Sequence, residues 1–482
     1  MMPRLPSAGA ATMSMMEATF ADQAAYDGRA EARNGTCVDW AAVDGSGAPA
    51  VDFADCAELT GRNLVGLGGF LWHAVPDGAL AAAEAREAAA AAAEARDVAE
   101  PRDAAARDAG VALAPGWLAH HAGACDFVLV TCAREGDVAR AREALGVIAS
   151  AVLSAPPGPR RHALRFTVFC NHVAAKVLKR SMQRLMDMAW GRFGGEDLVV
   201  YFDATWPDRV PEAAKPHLML FKPCATVKLF LPQILDPTIR WAVYLDTDVV
   251  FAADPAVFWL GAVGALAAAG AAVAAAAEHG DVARSCEGSA EHYYNESAAA
   301  RALPRAFPDD GANTGVLALD AAAARDAGWV PTLAAVMADL AATQANGSLD
   351  LGDQSVFNVA AGGGNVTVAR LPCEANFRTD FCQRAAYDCD RCAAAPLLLH
   401  APRSAFHEGK FAYAPAFGRL YAFFLDALDS HDDGAGLAAA AARAAADFER
   451  LLDDGRAVAR LPCRAVAELA LSLVRAVDSD RT

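Results

Sequence analysis

From residue 126 onward the chain alternates short apolar runs with longer amphipathic ones. Phe127-Val-Leu-Val-Thr-Cys132 is a continuous apolar run of strand length. Residues 137–153 then carry their apolar positions at helical spacing, residues 164–170 form a second strand-length run, and residues 172–189 predict a second helix. Leu198-Val-Val-Tyr201 predicts a third strand. Further on, residues 241–245, 316–319 and 397–399 read as strands and residues 353–360 as a helix. Continuous rather than alternating apolar runs suit strands covered on both faces. Strand and helix in alternation predict an α/β fold: a Rossmann-like, mostly parallel sheet with helices on both faces. In such sheets ligands bind beyond the carboxyl ends of the strands, so chemistry is expected just after the apolar runs.

The flanks are patterned differently. Residues 1–125 are rich in Ala, Gly and Asp, with one helix predicted over 78–99 and stopped by Pro101. This region is expected to be stem-like or partly disordered. Residues 431–482 predict a helical extension that packs on the main domain or leads away from it. The chain thus divides into 1–125, a main domain over 126–430, and 431–482. Its 482 residues suffice for one large core with flanking segments. The hydrophobic share of 55% comes largely from alanine, and no charge-free apolar run of about 18 residues occurs. A net charge of −17 without a basic patch excludes a nucleic-acid partner.

Cysteine and asparagine speak to the compartment. Of twelve cysteines, Cys373, Cys382, Cys389 and Cys392 share one stretch. Only Cys389 and Cys392 have zinc-type spacing, with no matching second pair, so disulfides are the first reading and a zinc site the alternative. Asn34, Asn295, Asn346 and Asn365 each begin Asn-x-Ser/Thr in a chain poor in Ser and Thr. Such acceptors suit a surface in the secretory pathway. Residues 1–30 hold no apolar leader or anchor. Either the true start, with any membrane anchor, lies upstream, or the protein is cytosolic; the expectation is the first, a luminal protein of the Golgi or endoplasmic reticulum.

The sharpest chemical signal sits where the topology directs attention. Trp241-Ala-Val-Tyr-Leu245 ends in Asp246-Thr-Asp248 and continues Val-Val-Phe251. Carboxylates at i and i+2 of an extended chain point to one side and can share a hard cation. Mg²⁺ or Mn²⁺ accepts such oxygens and keeps positions for substrate phosphates.

Several stretches in order, Leu220-Phe-Lys-Pro-Cys-Ala-Thr-Val-Lys-Leu-Phe-Leu-Pro232 followed by Val243-Tyr-Leu-Asp-Thr-Asp-Val-Val-Phe251, resemble the glucoside xylosyltransferases, retaining glycosyltransferases of the family 8 type with the GT-A fold. The resemblance continues through Ala277-Glu-His279, Asn313-Thr-Gly-Val-Leu317, Gly352-Asp-Gln354, Leu371-Pro-Cys373 and Leu399-His-Ala-Pro-Arg403, with His407 and Lys410. It runs from about residue 126 to the region of Cys463.

The resemblance implies a metal site of Asp246, Asp248 and His400, holding Mn²⁺ or Mg²⁺. It implies a UDP-sugar donor, with Thr131 and Cys132 at the nucleoside, Lys228, Arg403 and Lys410 around the diphosphate, and Asn313 at the sugar hydroxyls from a turn before residues 316–319. Asp353 and Gln354 fall beside the anomeric carbon, for donor-sugar binding and transition-state stabilisation rather than a covalent intermediate; as a plain structural feature, Asp353 would cap its helix. One departure stands out. The family's turn after the metal histidine carries glycine and asparagine, whereas here it is Ala401 and Pro402, and Pro removes a backbone N–H. The function implied is α-linked transfer of xylose from UDP-xylose to an O-linked glucose on a glycoprotein. UDP-galactose or UDP-glucose as donor, and a non-catalytic carbohydrate-binding homologue, stand as alternatives.

Overall fold

The computed structural model describes residues 37–38, 52–53, 124–134, 138–160, 162–194, 197–212, 214–215, 223–278, 302–303, 311–343, 352–363, 366–379, 395–402, 414–430, 434–453 and 461–479. The helix expected over 78–99, the four Asn-x-Ser/Thr acceptors, Cys382, Cys389, Cys392, Arg403 and Lys410 lie outside them.

Cys37–Val38 and Asp52–Phe53 pair as a short antiparallel ribbon; the remaining strands are β1 (Ala124–Thr131), β2 (Ala163–Cys170), β3 (Leu198–Asp203), β4 (Trp241–Leu245), β5 (Val249–Phe251), β6 (Val273–Ala277), β7 (Ala312–Asp320), β8 (Val368–Leu371), β9 (Phe377–Arg378) and β10 (Leu398–His400). Seven of them form one sheet in the order β8-β6-β7-β4-β1-β2-β3. Neighbours are parallel except at β7, which runs against both β6 and β4. The mostly parallel α/β sheet expected from the pattern is present. A small second sheet, β9-β10-β5, stands at its carboxyl edge.

Each face of the main sheet has its own core. Along β1, Phe127 and Leu129 point to one side and Val128 and Val130 to the other, and all four are buried. That double burial is why the run is continuously apolar. On the first face lie α1 (Ala139–Ser154), α2 (His172–Phe193) and α3 (Pro255–Ala269). Phe127 stacks on Phe166 at 5.1 Å and meets Phe251 edge-on at 5.4 Å. Burying each such ring contributes roughly 1.5–3 kcal/mol. On the second face lie the 227–235 segment, α4 (Trp329–Thr343) and α5 (Asp353–Gly362).

The helix ends follow from local sequence. The Asn171 side chain accepts from Ala174 N at 2.9 Å to start α2, and Asp254 caps α3 ahead of Pro255. Gly270 closes α3 at φ 57°, a conformation open to glycine at little steric cost.

The C-terminal helices belong to the same body. Leu437, Phe448, Val466 and Val474, on α7 (Gly434–Asp453) and α8 (Leu461–Ser479), share the core of β1 and α1. Between them and α1 lies α6 (Ala414–Asp429). It comes so close that a Cβ on Gly146 would stand 2.7 Å from the Tyr421 ring. The described helices α7 and α8 therefore pack on the domain and help complete one of its faces.

A disulfide between Cys132 and Cys224, with Cα atoms 6.2 Å apart, ties the end of β1 to the segment leading to β4. Neither the pairing nor the involvement of Cys224 is legible in the sequence. Cys373 is also disulfide-bonded, in line with the oxidised reading of its stretch. Cys125 and Cys170 are free and buried. Under native, non-reducing alkylation, none of Cys125, Cys132, Cys170 and Cys224 should be labelled. Of these four, denaturant alone should expose Cys125 and Cys170 but not the bonded pair, as read by peptide mapping. Closing a loop over 92 positions, the Cys132–Cys224 bond contributes roughly 4 kcal/mol in the chain-entropy account. Cys224→Ser should lower thermal stability by several degrees.

Candidate metal and donor site

The site forms where the sheet changes direction. β2 lies on one side of β1 and β4 on the other, so the carboxyl ends of β1 and β4 flank a switch point. Asp246 follows directly on β4. The chain turns at Thr247 and Asp248 and enters β5, so the two carboxylates converge through a turn and not along one extended strand. The Thr247 hydroxyl donates to Glu143 of α1 at 2.9 Å, which anchors the turn to the buried face.

β5 pairs with β10 so that His400 stands opposite Val249, and Ala401 N donates to the Asp248 carbonyl at 2.8 Å. His400 closes β10 rather than following it. Its Nε2 lies 3.3 Å from Asp248 Oδ1. Each of Asp246, Asp248 and His400 offers a ligand atom within 4.8 Å of the others. Two carboxylate oxygens and one imidazole nitrogen make a donor set suited to Mn²⁺ or Mg²⁺, with no competing thiolate.

Beneath Asp246 sits Lys228, 3% exposed. Its ammonium reaches Asp246 at 2.9 Å, Asp353 at 2.9 Å and the Thr314 carbonyl at 3.2 Å. Burial alone would lower its pKa, but the two carboxylates outweigh burial and raise it. Asp246 shows the converse. Burial would raise its pKa, yet Lys228, His400 and a hydrogen bond from the Tyr244 hydroxyl hold it below the usual carboxylate range. Asp246 is therefore charged, as a metal ligand must be.

The reversed strand β7 brings its first residues to the same place. Asp246 N donates to the Gly315 carbonyl at 2.7 Å. Thr314 Oγ1 donates to Asp353 Oδ2 at 2.8 Å. Gly315 is required by a close approach, since a Cβ there would lie 2.3 Å from His400 Cε1. Asn313 lies inside β7 and not in a turn before it. Its amide nitrogen donates to Glu278 at 2.6 Å, while its oxygen accepts from Gly315 N at 2.9 Å and from Asn376 at 2.8 Å. Asn376 Oδ1 faces His400 Nδ1 at 2.9 Å. Gln354 donates to Glu278 at 2.7 Å, and Arg378 forms an ion pair with the same carboxylate.

These distances refine several expectations. Lys228 engages acidic side chains and a carbonyl of the protein, so it sits under the metal pair rather than open to a diphosphate. Asp353 does not cap its helix: that position is Gly352, and the Asp353 carboxylate is held by Lys228 and Thr314. Thr131 lies at the end of β1, but its hydroxyl donates to the Arg140 carbonyl at 3.0 Å. Cys132 is half of the disulfide. The Ala401 N–H is engaged by Asp248 and Pro402 has none, so neither of these two residues presents a backbone donor to a phosphate. Sequence reasoning gave no role to Glu278, Thr314, Gly315, Asn376 or Arg378. Glu278 could have been found, because it follows the wholly buried run Val273–Ala277 at a carboxyl strand end.

No protein-family model matches the chain. It is 28% identical over 279 residues to glucoside xylosyltransferase 1 of Danio rerio, a match covering 55% of this chain and 61% of that protein. The chain thus spans about three fifths of the curated relative it matches. Among solved structures, mouse xyloside xylosyltransferase 1 in its apo form resembles it with a TM-score of 0.41 at 16% identity, over 58% of this chain and 98% of the other. The galactosyltransferase LgtC with donor and acceptor sugar analogues gives 0.40 at 15%, over 62% and 95%. The sequence similarity marks the chain as glycosyltransferase-like.

The geometry around Gly315 gives a direct test of the His400 position. Gly315→Ala should push the imidazole off the carboxylate pair and weaken divalent-metal binding by roughly 10–100-fold, the range seen when groups supporting a ligand are lost. Titration calorimetry with Mn²⁺ measures it, with circular dichroism to verify the fold. Unchanged affinity in a folded variant would disprove that the ring needs this gap.

Proposed function

We propose that this glycosyltransferase-like chain is a metal-dependent, retaining transferase. It moves a sugar from a UDP-sugar, xylose first among the candidates, to a glycan acceptor such as an O-linked glucose on protein. The observation that carries the proposal is the Asp246–Asp248–His400 group at the switch point, with Asp246 already charged and supported from below. The 28% identity to a glucoside xylosyltransferase supports xylose over a hexose. The Cys132–Cys224 bond supports a secretory-pathway setting. Among the described residues no helix is long and apolar enough to cross a membrane.

Asp246, Asp248 and His400 would hold Mn²⁺ or Mg²⁺. The ion supplies Lewis-acid stabilisation of the charge on the departing diphosphate. The chain's own residues do the rest. Lys228 keeps Asp246 ionised and its carboxylate fixed. Arg403 and Lys410 are assigned to the diphosphate, and the end of β1 at Thr131 and Cys132 to the nucleoside. Asp353 is poorly placed as a nucleophile, because one of its oxygens is held by both an ammonium and a hydroxyl. That supports same-face transfer. The bond from the anomeric carbon to the diphosphate breaks, the acceptor oxygen bonds on the same face, and its proton passes to the departing phosphate oxygen. Gln354, anchored through its nitrogen on Glu278, lies at the start of α5 and is assigned to the sugar.

Four measurements test the reading. A panel of UDP-sugars with Mn²⁺ should select one donor, and EDTA should abolish turnover. Asp246→Asn or Asp248→Asn should raise the barrier by at least about 3 kcal/mol, over a hundredfold in rate, by analogy with the loss of one preorganised electrostatic group. Full activity in EDTA would defeat the metal reading. Gln354→Ala should lower kcat far more than it weakens UDP binding. The anomeric coupling constant of the product should report an α linkage; a β product overturns retention.

A further inference from the structure

A single acceptor-only group stands at the far end of a buried hydrogen-bond chain that starts at the metal group. Glu278 lies at the carboxyl end of β6 and is paired with Arg378, whose guanidinium is always charged, so the glutamate is ionised and can only accept. Its Oε2 takes the amide nitrogens of Asn313 at 2.6 Å and Gln354 at 2.7 Å. Both amides must therefore turn nitrogen toward it. The Asn313 oxygen then faces the other way and accepts from Gly315 N and from Asn376 Nδ2. With its nitrogen so used, Asn376 can offer only oxygen to His400 Nδ1. That ring nitrogen must donate, and so it carries the proton. Nε2 is the ring nitrogen left to face Asp248 Oδ1, at 3.3 Å, within the candidate metal group. Glu278, Asn313, Asn376, Arg378 and His400 are all buried, so an amide turned the wrong way would leave polar groups unpaired.

We infer that Glu278 is a positioning residue that sets the hydrogen-bond direction at both ends of the site: through Asn313 and Asn376 it fixes the metal-binding tautomer of His400, and directly it fixes the amide orientation of Gln354. This rests on the metal reading above and extends it to residues that touch neither metal nor sugar. Glu278 imposes direction and not mere packing, and direction can be reversed at one link while shape and net charge are kept.

The test uses Mn²⁺ alone as probe, with thermal melts and transfer kinetics alongside. Asn313→Asp sets a carboxylate against Glu278. It should weaken Mn²⁺ binding by roughly 10–100-fold, as loss of outer support to a ligand does. Adding Glu278→Gln restores a donor–acceptor pair at that link. The introduced glutamine amide can donate to the introduced carboxylate, which still accepts from Gly315 and Asn376, and Arg378 keeps an oxygen partner. The double variant should regain most of the Mn²⁺ affinity and a cooperative melt. Its kcat should stay low, because Gln354 now meets a nitrogen and must turn round. Wild-type affinity in Asn313→Asp overturns the proposal. So does a double variant that remains unfolded, or one that folds yet binds Mn²⁺ no better than the single. Should the wild-type protein itself not bind Mn²⁺, the metal reading fails, and recovery of the melt in the double variant still decides the direction of the relay.

Discussion

A buried ammonium holds the site together. Lys228 lies between Asp246 and Asp353, and neither carboxylate could stand so close to the other ligands without it. Removing one partner of such a buried pair costs about 3–5 kcal/mol, because the remaining charge is left uncompensated. The three elements involved come from separate parts of the chain: the 227–230 turn, the end of β4 and the start of α5. Their common meeting point is therefore electrostatic as much as apolar. The same contact leaves Asp246 charged and prearranged, so a cation that arrives there does not first have to drive off a proton.

The reversed strand β7 gives this meeting point its second side. Were it parallel to its neighbours, its polar end would lie at the opposite edge of the sheet. Running antiparallel, it sets Asn313, Thr314 and Gly315 beside the carboxyl ends of β4 and β6. A register shift opposite β6, between Ala275 and Ala276, falls just before this polar end. Such irregularities re-aim side chains. Here Asn313 reaches Glu278, Thr314 reaches Asp353, and Gly315 leaves space for a histidine ring.

What the sequence made legible divides along physical lines. Strands buried on both faces leave continuous apolar runs, so β1, β2, β3 and β4 could be placed within a few residues. Asp246 and Asp248 were found because two carboxylates closing a buried run, with a second apolar run directly after them, are hard to account for as a solvated turn. His400 needed the family resemblance, since a lone histidine at a strand end carries no pattern. The relay through Glu278, Asn376 and Arg378 left almost no local signal. Glu278 lies about a hundred residues from Asn376 and Arg378, and their meaning comes from mutual hydrogen bonds that only the fold creates. The partners of Asn313, namely Glu278, Gly315 and Asn376, are invisible in one dimension. So is the depth of Lys228 in the core, since in the sequence it is only a cation near an acidic pair. The disulfide of Cys132 and Cys224 leaves no local signal, because its halves lie 92 positions apart and only the fold brings them together.

These two buried networks differ in kind. The Lys228 cluster is organised by charge, which acts over distance and tolerates small shifts. The Glu278 chain is organised by hydrogen-bond direction, which does not: an amide is either turned the right way or it is not, and in a dry interior the wrong orientation leaves unpaired groups costing about 1–3 kcal/mol each. Charge thus secures the ionisation of Asp246, while direction secures the one ligand whose two nitrogens are not interchangeable. Asp353 and Gln354 are adjacent in sequence, yet each belongs to a different network, Asp353 to Lys228 and Gln354 to Glu278. The first turn of α5 is therefore where the two systems meet, and a shift of that helix would disturb the Lys228 cluster and the Glu278 chain together.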